Sequence, residues 1–205
     1  MQSDRIAGGG GPRVLAVCGS LKPAIAGAAP SACRELLKLA LTPVRNLYPL
    51  IDVLDLRDAR LPPFDGRGPS EYGSSQLLDA RRAVENAAAY VFSTPAYWGG
   101  IGAAFKNFIE TVCGPGYDGG NSPFAGKPGV VMIVGSDGKT AQAAALQMEA
   151  VLNALGILPV TRPIVVGDPG DLPDVQRAVQ DLTAAAGSVV LALAAGRAVQ
   201  SAYPS

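Results

Sequence analysis

Thr94-Pro95-Ala96-Tyr97-Trp98-Gly99-Gly100-Ile101-Gly102-Ala103-Ala104-Phe105-Lys106-Asn107-Phe108-Ile109 is the stretch on which the reading of this chain turns. The residues just before it, Ala88 to Phe92, form an unbroken apolar run of strand length, as expected for a strand buried on both faces. The chain then enters a turn rich in Gly and Pro that carries two adjacent aromatics, Tyr97 and Trp98. Beyond the turn Phe105, Phe108, Ile109 and Val112 recur at i, i+3, i+4 and i+7, the period of an amphipathic helix. A strand, a tight loop and a helix make a seat for a flat ligand at the carboxyl edge of a sheet.

The same alternation extends in both directions. Arg13 to Cys18 reads as a central strand that stops at Gly19. A loop from Gly19 to Pro30 follows, and Ser31 is placed to cap a helix marked by Cys33, Leu36, Leu37 and Ala40. Leu50 to Leu56 alternates with Asp52 and Asp55, which suits a strand near an edge with both carboxylates facing solvent. Leu61 to Gly66 is a turn, and Gln76 to Ala87 a second helix. The Gly- and Pro-rich segment Gly114 to Gly129 reads as a lid or an interface loop. Val130 to Val134 is another buried strand. Met148, Val151, Leu152 and Leu155 mark a helix ending at Gly156. Ile157 to Val166 is a strand interrupted by Pro159 and Pro163, fit for a sheet edge. Asp174 to about Ala195 closes the chain with a helix whose Val175, Ala178, Val179 and Leu182 share a face. Strands alternating with helices build a parallel sheet through right-handed crossovers, hence a three-layer α/β sandwich. The expected organisation is a flexible arm over residues 1–12 and a single domain over 13–200.

Composition narrows the chemistry. With 205 residues, 48% of them apolar and 17% charged, the chain supports one sizeable core. A net charge of zero, with no basic run, argues against a nucleic-acid surface or an anionic membrane surface. There is no His, which removes imidazole as base or ligand and with it most Ser-His and Cys-His hydrolase chemistry. Cys18, Cys33 and Cys113 are widely spaced and odd in number, so they read as free thiols, with no metal site. Cys18 is expected to be a small buried residue. No apolar leader or membrane-length run is present, and the expectation is a soluble cytoplasmic protein.

Three loops meet the requirements of a ligand site in such a sheet: Gly19 to Ser31, Thr94 to Gly102, and Gly135 to Thr140. Each combines Gly with Ser or Thr and leads to a helix, whose first N–H groups suit an anion. The dinucleotide fingerprint is absent, because Cys18-Gly19-Ser20-Leu21-Lys22-Pro23 stands after the first strand. Gly135-Ser136-Asp137-Gly138-Lys139-Thr140 is no P-loop either, since Ile133 occupies the position of its first glycine.

These residues resemble those of the NAD(P)H-dependent FMN reductases, a family of flavodoxin-like fold. Val14 to Lys22 resembles the family's first strand and G-S-x-R loop. Leu54 to Gly66 resembles the segment after its second strand. Thr94 to Ile109 resembles T-P-E-Y-N-G…L-K-N-x-I, and Phe124 to Pro128 resembles F-x-G-K-P. The likeness covers about residues 13 to 160. The chain departs from the pattern with Lys22 for Arg, Cys33 for Asn, Ala96 for Glu and Trp98 for Asn, and about six extra residues precede Ser31.

The resemblance implies a five-stranded parallel sheet of order 2-1-3-4-5. It implies FMN as cofactor, with NADPH or NADH as hydride donor. Gly19, Ser20, Lys22 and Ser31 would hold the flavin phosphate. Pro95, Ala96, Tyr97, Trp98 and Gly99 would line the isoalloxazine and ribityl chain, with Trp98 stacking on it. Gly135, Ser136, Asp137 and Gly138 would contact the far side of the ring. No side-chain acid or base is required, because hydride passes from nicotinamide to flavin directly. Lys106 is expected on a solvated face and Asn107 to brace the loop. The implied enzyme supplies reduced flavin, with a monooxygenase as partner, or passes electrons to a quinone-like acceptor, and assembles as a homodimer or homotetramer. A flavodoxin-like electron carrier and a scaffold that has lost flavin are the competing classes.

Overall fold

Alternation along three central strands builds the core. In β1 (Arg13–Cys18) Leu15 and Val17 enter one apolar cluster, while Val14, Ala16 and Cys18 enter a second. β5 (Pro128–Val134) repeats this, with Val131 and Ile133 against Val130, Met132 and Val134. β3 (Ala87–Tyr97) sends Tyr90 and Phe92 to the first side and Ala89 and Val91 to the second. Side chains point to opposite faces along a strand, so strands buried throughout need a layer of helices on each face. The computed structural model that shows this describes residues 13–23, 25–27, 29–47, 50–116, 122–171, 173–185 and 187–188. The expected arm over 1–12, the centre of the Gly114 to Gly129 loop and the last helix beyond 188 lie outside them.

The helical layers follow from periodicity. α3 (Ser75–Asn86), α4 (Ala103–Cys113) and α5 (Gly138–Ala154) pack Leu77, Phe108, Met148 and their neighbours onto the first cluster. α1 (Ala32–Leu47) and the helical residues 173–185 cover the other face with Leu36, Leu37, Leu41, Ala178 and Leu182.

β2 (Ile51–Asp55) is an edge strand beside β1, as its mixed polarity predicts. The parallel order runs β2, β1, β3, β5 and then a last strand in two pieces, β6 (Leu158–Pro159) and β7 (Ile164–Val166). Counted as five parallel strands this is the order 2-1-3-4-5, and the fold is flavodoxin-like. Pro159 and Pro163 interrupt the last strand where periodicity places the break, since proline offers no N–H to a ladder.

Three local features depart from the sequence reading. β3 runs on through Tyr97 and folds back as a two-residue antiparallel strand, β4 (Gly100–Ile101), so Thr94 to Gly102 is a hairpin rather than a plain loop. A short helix α2 (Leu56–Ala59) follows β2, capped by Asp55, whose carboxylate accepts from Arg57 N. A 3₁₀ turn spans Pro69–Tyr72. Between β1 and β3 the direction of winding reverses, which opens a crevice at their carboxyl ends.

Candidate functional site

That crevice is a cleft of about 460 Å³. The loop after β1 lines one end. Ser20 and Ser31 are buried there, only 3% and 4% exposed. Ser20 Oγ accepts from Lys22 N at 3.3 Å, and Lys22 Nζ donates to Pro30 O at 3.3 Å, which draws the two ends of the 22–30 excursion together. Ser31 caps α1 as expected, its Oγ accepting from Arg34 N at 3.4 Å. The first two residues of α1, Ala32 and Cys33, also line the cleft, and their amides have no intrahelical carbonyl to bind.

The hairpin after β3 lines the opposite side with Pro95, Ala96 and Tyr97, and the β5–α5 loop closes the floor with Gly135 and Ser136. Gly135 sits under tight packing: a Cβ there would lie 2.9 Å from both Ala141 Cβ and Asp137 O. Thus Ser20, Lys22, Ser31, Pro95, Ala96, Tyr97, Gly135 and Ser136 are brought together from three separate loops.

Five of the expected site residues, Gly19, Trp98, Gly99, Asp137 and Gly138, do not line the cleft. Gly19 lies beneath it, with N donating to Ser93 O at 2.7 Å and room for no side chain. Trp98 and Gly99 turn the hairpin with φ of 54° and 77°, as a type I′ turn requires, and this throws the indole wholly into solvent. The Asp137 carboxylate turns to the helix it caps, accepting from Thr140 N at 2.8 Å. That N–H holds its pKa below the ordinary carboxylate value, so the charge is spent on the α5 N-terminus. Gly138 is the first residue of α5, and a Cβ on Gly167 would stand 2.7 Å from its Cα.

Sequence reading missed three participants. Asp168 and Pro169, after β7, line the cleft beside the Ser136 loop. The signal was available, because the last parallel strand also ends at this edge of the sheet. Arg34 does not line the cleft but binds the backbone of the loop that does, through Ser20 O at 3.1 Å. An arginine in the first turn of a helix opposes the helix dipole, and that anomaly was its signal. Asp55, read as solvent-facing, is the carboxylate that answers it. Asn107 does brace a loop, but it is the Pro62–Phe64 segment, with Nδ2 to Pro62 O at 2.9 Å and Oδ1 from Phe64 N at 2.7 Å.

The model of the family described as NADPH-dependent FMN reductase matches residues 12–171, which include every loop of the cleft. The chain belongs to that family. It is an NAD(P)H-dependent flavin reductase. Among solved structures, it is similar to an NADH:FMN oxidoreductase (EMOB) in its apo form, at 17% identity and TM-score 0.65, covering 89% of this chain and 90% of that one. FerB, a flavoenzyme NAD(P)H:(acceptor) oxidoreductase from Paracoccus denitrificans, is 17% identical with TM-score 0.64, over 89% and 97% of the two chains. An azoreductase from Bacillus anthracis str. Sterne is 16% identical with TM-score 0.63, over 86% and 99%. A search of the curated proteins finds no match. At these identities the solved structures establish the fold.

The reductase's site is weakly charged. Among the described residues its lining holds one cation, Lys22, and one carboxylate, Asp168. Burial pushes the Cys33 thiol up to about 12 and raises Cys18 as well, so neither supplies a thiolate near the cleft. What the site offers is hydroxyls, backbone amides and aromatic surface, a set suited to holding a phosphorylated flat molecule and not to acid–base work.

Proposed function

We propose that the flavin phosphate sits at the Ser20, Lys22 and Ser31 end of the cleft, with the isoalloxazine ring between Tyr97 and the Gly135–Ser136 loop. The observation that carries this reading is the pairing of two buried hydroxyls and open helix amides at one end with a half-open aromatic at the other. Ser20 and Ser31 donate to the phosphate, α1 presents the Ala32 and Cys33 amides, and Lys22 supplies charge. Pro95 and Ala96 press along the ribityl chain, and Asp168 accepts from its hydroxyls. Gly19, Gly99 and Gly138 shape these loops from outside, and Asp137 keeps its charge on α5. When bound, the flavin supplies the redox chemistry, taking hydride from NADPH or NADH.

The flavin is exchanged as a substrate and leaves reduced for a monooxygenase. Support comes from the lining, where Lys22 and Asp168 cancel and, among the described residues, no arginine stands. The test is to purify the protein, dialyse it and follow NADPH and NADH oxidation with and without FMN. Oxidation that requires added FMN is expected. A yellow protein that keeps its flavin and turns over with a quinone alone would contradict exchange. A protein that takes up no FMN would contradict the site.

A homodimer or homotetramer is the assembly we propose, with Trp98 and the exposed Leu146 of α5 in the contact. Gly99 approaches Ala143 at a would-be Cβ distance of 3.7 Å, and Ala143 and Leu146 lie one turn apart on α5, so hairpin tip and helix form one apolar surface. Sedimentation should show Trp98→Ala dissociating; an unaltered sedimentation coefficient would place the contact elsewhere. Cytoplasmic residence fits the free Cys18, Cys33 and Cys113. Among the described residues no helix is long and apolar enough to cross a membrane.

A further inference from the structure

Arg34 lies in the first turn of α1, where its charge opposes the helix dipole, yet its guanidinium is well engaged. Nε and Nη2 grip the Asp55 carboxylate as a fork, with Nη2 to Oδ1 at 3.0 Å. Nη2 also donates to Ser20 O at 3.1 Å, and Nη1 makes a long contact of 3.5 Å to Lys22 O. These contacts occupy four of the five N–H donors of a guanidinium. The side chains of Arg34 and Asp55 are 14% and 16% exposed, and Asp55 ends β2 opposite Cys18 of β1. The pair therefore ties the loop after β1 to the end of the neighbouring strand and to the helix that follows the loop.

Geometry separates orientation from attraction. Arg34 lines a different cavity and not the cleft, and four of its five donors are already taken. Asp55 matches its charge at contact distance, which leaves little net field for an anion beyond. What Arg34 does is hold the carbonyls of Ser20 and Lys22. Holding both carbonyls restrains the 20–21 and 22–23 peptide planes, and so the backbone from which the Ser20 hydroxyl and the Lys22 stem depart. We infer that Arg34, anchored by Asp55, is a positioning residue that sets the Ser20–Lys22 segment in the conformation that receives the flavin phosphate. This rests on the phosphate placement proposed above.

The experiment measures dissociation constants for FMN and for riboflavin, which lacks the phosphate, by quenching of flavin fluorescence. Wild type, Arg34→Gln and Asp55→Asn are compared. Arg34→Gln is expected to weaken FMN about tenfold and riboflavin less than about twofold. General loosening of the fold would weaken both ligands alike. Asp55→Asn discriminates further: if Arg34 acted by charge, an unmatched guanidinium would tighten FMN, whereas loss of its anchor loosens it. Loosening is expected, and tightening would overturn the positioning role. Should Arg34→Gln not fold, Arg34→Lys keeps the cation without the fork, and the same FMN-specific loss is expected. A variant that keeps the wild-type preference for FMN over riboflavin removes Arg34 from the site while leaving the phosphate placement standing. A wild type with no preference for FMN removes the placement and the role of Arg34 together.

Discussion

Phe92 and Trp98 belong to one strand and its turn, yet Phe92 is 1% exposed and Trp98 is fully exposed. Phe92 stacks near Tyr90 with centroids 5.4 Å apart and meets Phe105 edge-on at 5.3 Å. Phe124 approaches Tyr90 at 5.2 Å, Phe108 at 6.0 Å and Phe92 at 6.4 Å. Trp98 touches none of this. It holds a left-handed backbone, φ 54°, which a bulky residue adopts at a cost and which asparagine or glycine would accept more readily. Within one element, aromatic surface first holds the sheet to its helices and then, past the edge, stands exposed to solvent. The change comes at Tyr97, the last residue of β3, half in the cleft and 61% exposed.

The largest effect expected from breaking this comparison is at its buried end. Phe92→Ala should lower unfolding free energy by about 3–5 kcal/mol in urea titrations. A loss near zero would mean that the aromatic cluster is not the keystone of that face.

Alkaline pH attacks the same interior. Burial raises Cys33 from 9.0 to about 12, so the folded state keeps a proton that the unfolded state releases. Stability from the neutral thiol is then whole below pH 9.0 and is lost as pH climbs toward about 12. Burial raises Cys18 and Tyr90 in the same direction. The melting temperature should fall steadily over that range, and a Cys33→Ala variant should show a shallower fall. Equal slopes would remove Cys33 from the account.

Gly19→Ala probes the boundary between core and cleft. Its Cβ would stand 2.9 Å from Thr94 Oγ1 and 3.0 Å from Phe105 Cβ, and overpacking there should cost about 1–3 kcal/mol. A melting curve identical to wild type would show that the floor of the cleft yields.

Tyr97→Ala should weaken flavin binding by about 1–2 kcal/mol while leaving stability almost unchanged, as expected of a ring that packs on ligand and not on core. An unaltered flavin dissociation constant would move the ring elsewhere. The smallest change has the opposite sign. Trp98→Asn should stabilise the protomer by about 0.5–1 kcal/mol, because asparagine tolerates the left-handed turn. A variant destabilised at concentrations where the protomers are apart would show that the indole makes contacts within its own chain.

Much of the fold is legible in the residues alone. The buried strand segments at 14–18, 88–92 and 130–134 stand out as continuous apolar runs. The helices do so by their spacing, and the broken last strand by Pro159 and Pro163. Ser31 as a helix cap and the choice of three loops followed from local chemistry. The hairpin of Thr94 to Gly102 was harder, since its two-residue return strand is too short to leave a periodic trace.

Sequence by itself determined the order of strands and helices, because burial on two faces and on one face leave different periods in the residues. The Thr-Pro-x-Tyr stretch then named the family. Tertiary structure alone decided which residues share the cleft. Nothing local ties Asp168 to Ser20, Arg34 to Asp55, or Asn107 to Pro62; these partners meet because strand register and crossover set their separation. The same register pointed Trp98 out of the cleft and Asp137 toward its own helix, since a side chain's direction follows the backbone dihedrals that the assembled sheet imposes.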